Sequence, residues 1–219
     1  SIDRVDPHSG KVTTLYTHCG DRRLSGPNDL VFDAHGGFYF TDIGKIRPHD
    51  RDHGGVYYAT IDGSRIEPVI YPILSPNGCG LSPDGRRLYV ADMEPARLWA
   101  FEIIGPGQLA KLPFPRSGNG GHLLGAATGL QGFDSLAVDA EGSIAIGTVW
   151  GQPQITVIAA NGGISRQIPM PDPFPTNLCF GGEDRRTAFI TLSGRGQLVA
   201  MPWHCEGMTL GFQPLKAGR

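Results

Sequence analysis

The chain has no C-x-x-C pair, no apolar run of about 18 residues, no basic-then-apolar leader and no surplus of charge of either sign. Each absence narrows the field. The four cysteines, at 19, 79, 179 and 205, are too scattered for a zinc ribbon, a redox dithiol or a stapled secreted scaffold. Without a leader or a long apolar run, a soluble, cytoplasmic protein is the expectation. The net charge of −2, from 19 Lys+Arg against 21 Asp+Glu, offers no general attraction for nucleic acid or for an anionic membrane. No segment keeps a helical apolar stripe over three turns, so a helical bundle is not expected either. The start, Ser1-Ile2-Asp3-Arg4-Val5-Asp6, has no initiator Met and reads as mid-domain sequence.

What the sequence does have is punctuation. Gly (32) and Pro (18) together make 50 of the 219 residues, as expected where many tight turns join short strands. Short apolar stretches flank turn tips such as Ala34-His35-Gly36-Gly37, Ser82-Pro83-Asp84-Gly85, Asp139-Ala140-Glu141-Gly142 and Gly182-Glu183-Asp184. Asp, Asn and Gly tolerate the backbone of hairpin turns, so these read as β-hairpins, with Asp33, Asp84, Asp139 and Glu183 as turn formers.

Four segments share one register. Aligned on Phe32, Leu81, Val138 and Phe180, they begin at Asn28, Asn77, Asp134 and Thr176. The starts are 49, 57 and 42 residues apart (28 to 77, 77 to 134, 134 to 176), and four strands per 40–50 residues is the period of a β-propeller blade. Blades are expected near residues 24–72, 75–113, 130–170 and 174–205, in a single domain covering 1–219. A half blade at 1–20 precedes them, giving about four and a half blades in an all-β chain. The longest spacing is assigned to a loop rich in Gly, Ser, Ala and Asn, from Arg116 to Gly132, which together with the loop Arg47 to Gly55 is expected to border the channel mouth. Repeated hairpins around an axis would bring the four leading side chains together. Oxygen donors of this kind suit a hard divalent cation, whereas the absence of His and Cys from the set disfavours a dedicated zinc or copper centre. Taken singly, Asn28 and Asn77 read as turn residues and Asp134 as a surface carboxylate; the shared register is what joins them.

Gly26-Pro27-Asn28-Asp29-Leu30 with Phe40-Thr41-Asp42, Ser75-Pro76-Asn77-Gly78 with Leu81-Ser82-Pro83-Asp84-Gly85, and Asp134 with Val138-Asp139-Ala140-Glu141-Gly142 make the sequence recognisable. With Cys179-Phe180-Gly181-Gly182 and Ala188-Phe189-Ile190-Thr191, the set resembles the family of gluconolactonases, regucalcin (senescence marker protein) and luciferin-regenerating enzyme. The resemblance implies a six-bladed β-propeller with a divalent cation in its central channel. Ca2+ is the first choice, with Mg2+, Mn2+ and Zn2+ as alternatives. It also implies hydrolysis of a small-molecule lactone of the sugar type. By the same resemblance Asn77 and Asp134 are metal ligands, Asn28 touches substrate or ligand water, and Thr176 matches no ligand. The family's Glu ligand has no counterpart after Ser1, and Gly26 stands where some members carry a substrate-holding Arg.

In the chemistry this suggests, a cation polarises the lactone carbonyl, Asp134 helps to activate water, and Asn28 places the lactone oxygen or stabilises developing negative charge. A related propeller phosphotriesterase, or a non-catalytic calcium-binding or interaction protein, is the alternative. A partial ring leaves strand edges open, and three outcomes are expected from that: a homodimer through those edges, a gapped ring, or, preferred, a truncated gene or sequence record.

Overall fold

A computed structural model describes residues 1–211, and every regular element among them is a strand. A first hairpin is formed by β1 (Ile2–Val5) and β2 (Val12–Tyr16), and a two-residue pair by β3 (His18–Cys19) and β4 (Arg22–Arg23). Four antiparallel sheets follow. The first blade is β5 (Pro27–Phe32), β6 (Gly37–Asp42), β7 (Gly54–Thr60) and β8 (Ile66–Ile73). The second is β9 (Pro76–Leu81), β10 (Arg87–Asp92) and β11 (Arg97–Gly105), with β12 (Gln108–Ala110) and β13 (His122–Ala126) both paired to β11. The third is β14 (Gly132–Val138), β15 (Ile144–Val149), β16 (Gln154–Ile158) and β17 (Ile164–Pro169). The fourth has three strands, β18 (Pro175–Gly181), β19 (Thr187–Leu192) and β20 (Gln197–Pro202).

The blades pack face to face in chain order, and the leading strands β5, β9, β14 and β18 neighbour one another in series. The core is therefore a set of layers between sheets. Tyr39, Val56 and Tyr58 of the first blade meet Leu81, Leu88 and Phe101 of the second. Tyr89 and Leu98 meet Phe133, Ile144 and Ile146 of the third. Ile155 and Val157 meet Leu178, Ile190 and Leu192 of the fourth. The N-terminal hairpin adds a layer in which Tyr16 packs with Leu24, Phe38, Phe40 and Tyr57, and the Tyr16 hydroxyl donates to the Thr60 carbonyl (2.7 Å). This layering explains why β6 and β15 are buried on both faces and read as continuous apolar runs rather than as alternating ones. Among the described residues the blades form an open arc. Its end faces leave Leu30 and Phe32 on β5, and Leu198 on β20, exposed.

The expectation for Arg116–Gly132 needs correcting, because His122–Ala126 is a strand that extends the outer edge of the second blade. Its only apolar pair is Leu123-Leu124, too short to announce a strand against the surrounding glycines. The 47–55 loop sits beside the start of β9: Arg51 pairs with Glu94 (2.6 Å) and donates to the Leu74 carbonyl (2.9 Å).

Glycine sets the spacing between blades. A Cβ on Gly78 would lie 2.6 Å from the Leu136 nitrogen and 2.8 Å from Ser135 backbone atoms. On Gly147 it would lie 2.4 Å from the Pro175 carbonyl oxygen. The obstacle in each case is backbone, which cannot rotate away. Gly78→Ala is therefore expected to destabilise the protein by about 1–3 kcal/mol. Gly118→Ala, where the added carbon meets nothing within 4 Å, should leave the urea midpoint unchanged. Equal midpoints for the two variants would show that the blades are not held at backbone contact.

Candidate active site

Each leading strand carries the same irregularity. In β5, Pro27 faces Asp42 and Leu30 faces Phe40, so Asn28 and Asp29 together oppose Thr41 alone. In β9, Asn77 and Gly78 oppose Ala91. In β14, Asp134 and Ser135 oppose Gly147. In β18, Thr176 is the extra residue between Pro175 and Asn177. These are β-bulges, and a bulge turns a side chain out of the strand's alternation. The four residues expected to converge thus occupy equivalent bulges of neighbouring strands.

Carboxylates fix where the bulges start. Asp42 at the end of β6 accepts the backbone N–H groups of Ser25 (2.8 Å) and Gly26 (2.7 Å), just before Pro27-Asn28. Asp92 at the end of β10 accepts the Ser75 N–H (2.8 Å) and hydroxyl (3.0 Å), just before Pro76-Asn77. The Thr41 hydroxyl ties the first two bulges together, accepting from the Asp29 N–H (3.1 Å) and donating to the Asn77 carbonyl (2.6 Å).

Asn77 and Asp134 are brought together. The Asn77 side chain is buried, its Oδ1 accepts from the Ser135 hydroxyl (3.3 Å), and its Nδ2 lies 3.5 Å from the Met93 sulfur. Burial pushes the Asp134 carboxyl up to about 6; the Asn77 side chain and the Ser135 N–H partly offset this, and the charge of Asp29 adds to it. Asn28, by contrast, is exposed, and with Asp29 it lines a cavity of about 300 Å³ closed on the other side by Ser1, Ile2 and Asp3. Thr176 is half-buried and spends its hydroxyl on Thr191 (3.0 Å) and Ser193 (2.8 Å). A larger cavity, about 1150 Å³, opens at the hairpin-tip end between the second and third blades and contains none of the bulge residues.

Asp29 is the site residue that sequence reasoning missed. Its carboxylate reaches the next blade, where Oδ2 accepts the Cys79 N–H (3.1 Å), while Oδ1 accepts the Leu30 N–H (2.9 Å). Burial pushes it up to about 6, as it does Asp134. Its signal was the Asn-Asp pair in a bulge: the equivalent places hold Gly78, Ser135 and Asn177, so the register shows no second acidic column.

Two desolvated carboxylates, with the charge of Asp29 raising the proton affinity of Asp134, form together with an amide oxygen an electrostatic deficit that a cation would fill. The donor set of Asn77, Asp134 and Asp29 is all oxygen and fits a hard divalent ion.

Residues 1–194 match the family described as the SMP-30/Gluconolactonase/LRE-like region. The chain belongs to this family. It is 33% identical to lactonase drp35 of Staphylococcus saprophyticus over 144 residues, 66% of the chain and 42% of that protein. It is 29% identical to the diisopropyl-fluorophosphatase of Loligo vulgaris over 209 residues, 90% of the chain and 63% of that protein. Among solved structures, a gluconolactonase of Xanthomonas campestris superposes with a TM-score of 0.71 at 26% identity, covering 91% of the chain and 64% of the other. The chain thus spans less than two thirds of each relative.

The raised carboxyls make stability depend on pH in a definite direction. Ordinary Asp titrates near 3.9, so between about pH 4 and 6 the folded state holds protons that the unfolded state has released. The stability these groups contribute is full below about pH 4 and is lost as pH rises through about 6. In chelated protein, Asp29→Asn and Asp134→Asn should each gain melting temperature relative to the unsubstituted protein as pH rises through that window. A difference that is flat with pH, or that grows on acidification, would contradict the assignment.

Proposed function

We propose that this chain carries the catalytic face of a divalent-cation-dependent hydrolase that opens sugar-type lactones. The observation that carries the reading is the placement of Asn77, Asp134 and Asp29 on adjacent bulges, with both carboxylates desolvated. Membership in a family whose description includes gluconolactonase, and the likeness to lactonase drp35, support the substrate class.

Asn77 Oδ1 and the Asp134 carboxylate would hold the cation, with Asp29 contributing charge beside them. Calcium suits an all-oxygen set best, and Mg2+, Mn2+ and Zn2+ are the other candidates. When bound, the ion supplies Lewis-acid polarisation of the lactone carbonyl. The chain's own groups do the rest. The exposed amide of Asn28 donates to the ring or carbonyl oxygen as negative charge develops there. Beside the ion, Asp134 would orient the attacking water and help to activate it. Asn77, held by the Ser135 hydroxyl and by the Thr41 bond to its carbonyl, orients Asp134. The open 300 Å³ cavity beside Asn28 and Asp29 is of a size for a small lactone. Four free thiols, two of them buried, support a reducing, cytoplasmic setting.

A second reading has a specific observation behind it: the similarity to diisopropyl-fluorophosphatase extends over 90% of the chain. The same donors would hold an ion against a phosphoryl oxygen. Turnover of gluconolactone and of a phosphotriester should be measured side by side, with and without chelator. Lactone turnover is expected to exceed phosphotriester turnover, to vanish with chelator and to fall about 10²–10⁴-fold in Asp134→Asn. The reverse preference would transfer the assignment to phosphotriesters. Cation binding by calorimetry with neither activity would leave a binding protein.

A further inference from the structure

The far end of β14 presents a second group of metal-ligating side chains, chemically unlike the first. Asp134 stands near the start of this strand and Asp139 just past its end. Five residues of extended chain put them about 17 Å apart. Asp139 lies at the hairpin tip, and beside it run His204 and Cys205, which follow β20 in the fourth blade. His204 Nε2 is 3.7 Å from Asp139 Oδ2 and 3.6 Å from Cys205 Sγ, and the three donor atoms all lie within 4.8 Å of one another. In a tetrahedral zinc site with ordinary bond lengths, neighbouring donors are about 3.4–3.6 Å apart. Glu141 Oε2, 3.8 Å from the same ring nitrogen, is within reach as a fourth donor.

The surroundings are built rather than accidental. The Asp139 side chain is 1% exposed, and its Oδ1 is fixed by the backbone N–H groups of Glu141 (3.1 Å) and Ser143 (2.9 Å), which aims Oδ2 at the histidine. The Trp203 indole N–H donates to that Oδ2 (3.3 Å), supplying the outer support that ligating carboxylates need. Backbone bonds clamp the two chain segments side by side, with the Ala140 N–H on the Glu206 carbonyl (2.8 Å) and the Met208 N–H on the Val138 carbonyl (3.1 Å). Cys205 is buried and not disulfide-bonded. Two cations contact His204: Arg186 Nη1 donates to its backbone carbonyl (3.1 Å), and Arg166 Nη2 is 3.4 Å from its Nδ1. An ion on Nε2 puts the ring proton on Nδ1, so Arg166 must then swing aside. It lies on an exposed stretch of β17 and already leans over the Trp203 ring, so little opposes that movement.

We infer that Asp139, His204 and Cys205, with Glu141 completing the set, bind a borderline-soft divalent ion of the zinc class that cross-links the hairpin tip of the third blade to the end of the fourth. The soft sulfur and the imidazole distinguish it from the all-oxygen set near the axis, so the two sites select different ions. The role is structural. Protein donors drawn from two blades close a long loop at the end of the arc where, among the described residues, no further sheet follows β18–β20.

The test uses Co2+ as a spectroscopic stand-in, added to the full chain, together with the melting temperature in Zn2+. A near-ultraviolet thiolate-to-cobalt band and a zinc-dependent rise in melting temperature are expected. Both should be lost in Cys205→Ser, and binding should weaken at least 10-fold in His204→Ala, a half-exposed position whose replacement leaves the core intact. The double variant Asn77→Ala Asp134→Asn should keep the cobalt band, which separates this site from the axial one. Absence of the band in folded protein overturns the proposal. So does a band of full intensity in both the Cys205 and His204 variants, since that would assign it to another thiol.

Discussion

The backbone-to-backbone approach of successive leading strands is the constraint on which the rest of the structure depends. At Gly78 the second blade runs so close to the third that a single carbon would strike the peptide between Ser135 and Leu136. At Gly147 the third blade meets the fourth in the same way, and at Gly54 the first receives Pro76 of the second. Close approach also requires that the facing strands not collide through their own side chains. The bulges meet that need: each inserts one residue, bends the strand and directs a polar group along the inner rim instead of into the neighbouring sheet. Packing and site geometry therefore have one cause.

That cause explains the electrostatics. Asp29 reaches across to the Cys79 N–H only because β5 and β9 are adjacent at the bulge, and Asp134 feels Asp29 only because β9 is narrow between them. Burial raises the proton affinity of both carboxyls, and their mutual repulsion adds to it for Asp134. A fold that kept these groups for structure alone would do better with neutral residues, since a desolvated carboxylate with few hydrogen-bond donors costs stability. Asp42 and Asp92 show the contrast. Each is a buried carboxylate whose oxygens meet several N–H or O–H donors, as a structural role requires.

Much of the fold was legible because a blade is a local unit: strand, turn and strand lie within about ten residues, and Asp or Gly marks each tip. Asn28, Asn77, Asp134 and Thr176 could be aligned because equivalent bulges fall at equal distances from the apolar anchors Phe32, Leu81, Val138 and Phe180. What was not legible depends on the third dimension. The convergence of Asp29 with Asp134 requires knowing that a bulge lets two consecutive residues face inward, which strict alternation forbids. Strand β13 pairs with β11 across a glycine-rich excursion, and its residues carry no alternation of their own. The Asp139, His204 and Cys205 group is invisible in the chain because Asp139 stands 65 residues before the His204-Cys205 pair, in a different blade.

Strand β14 shows how a propeller blade separates two chemistries. At its inner end the bulge exposes Asp134 to amide and carboxylate oxygens from the preceding blades, a hard environment. At its outer end the chain turns back, and Asp139 is met by groups from the following blade, including sulfur and imidazole. The four residues between, Ser135 to Val138, are mostly apolar and largely buried, with Leu136 and Val138 packed toward the second blade and Ala137 toward the fourth. Distance lets the two ends be altered separately: at about 17 Å, exchanging one donor for another of equal charge at one end leaves the field at the other nearly unchanged.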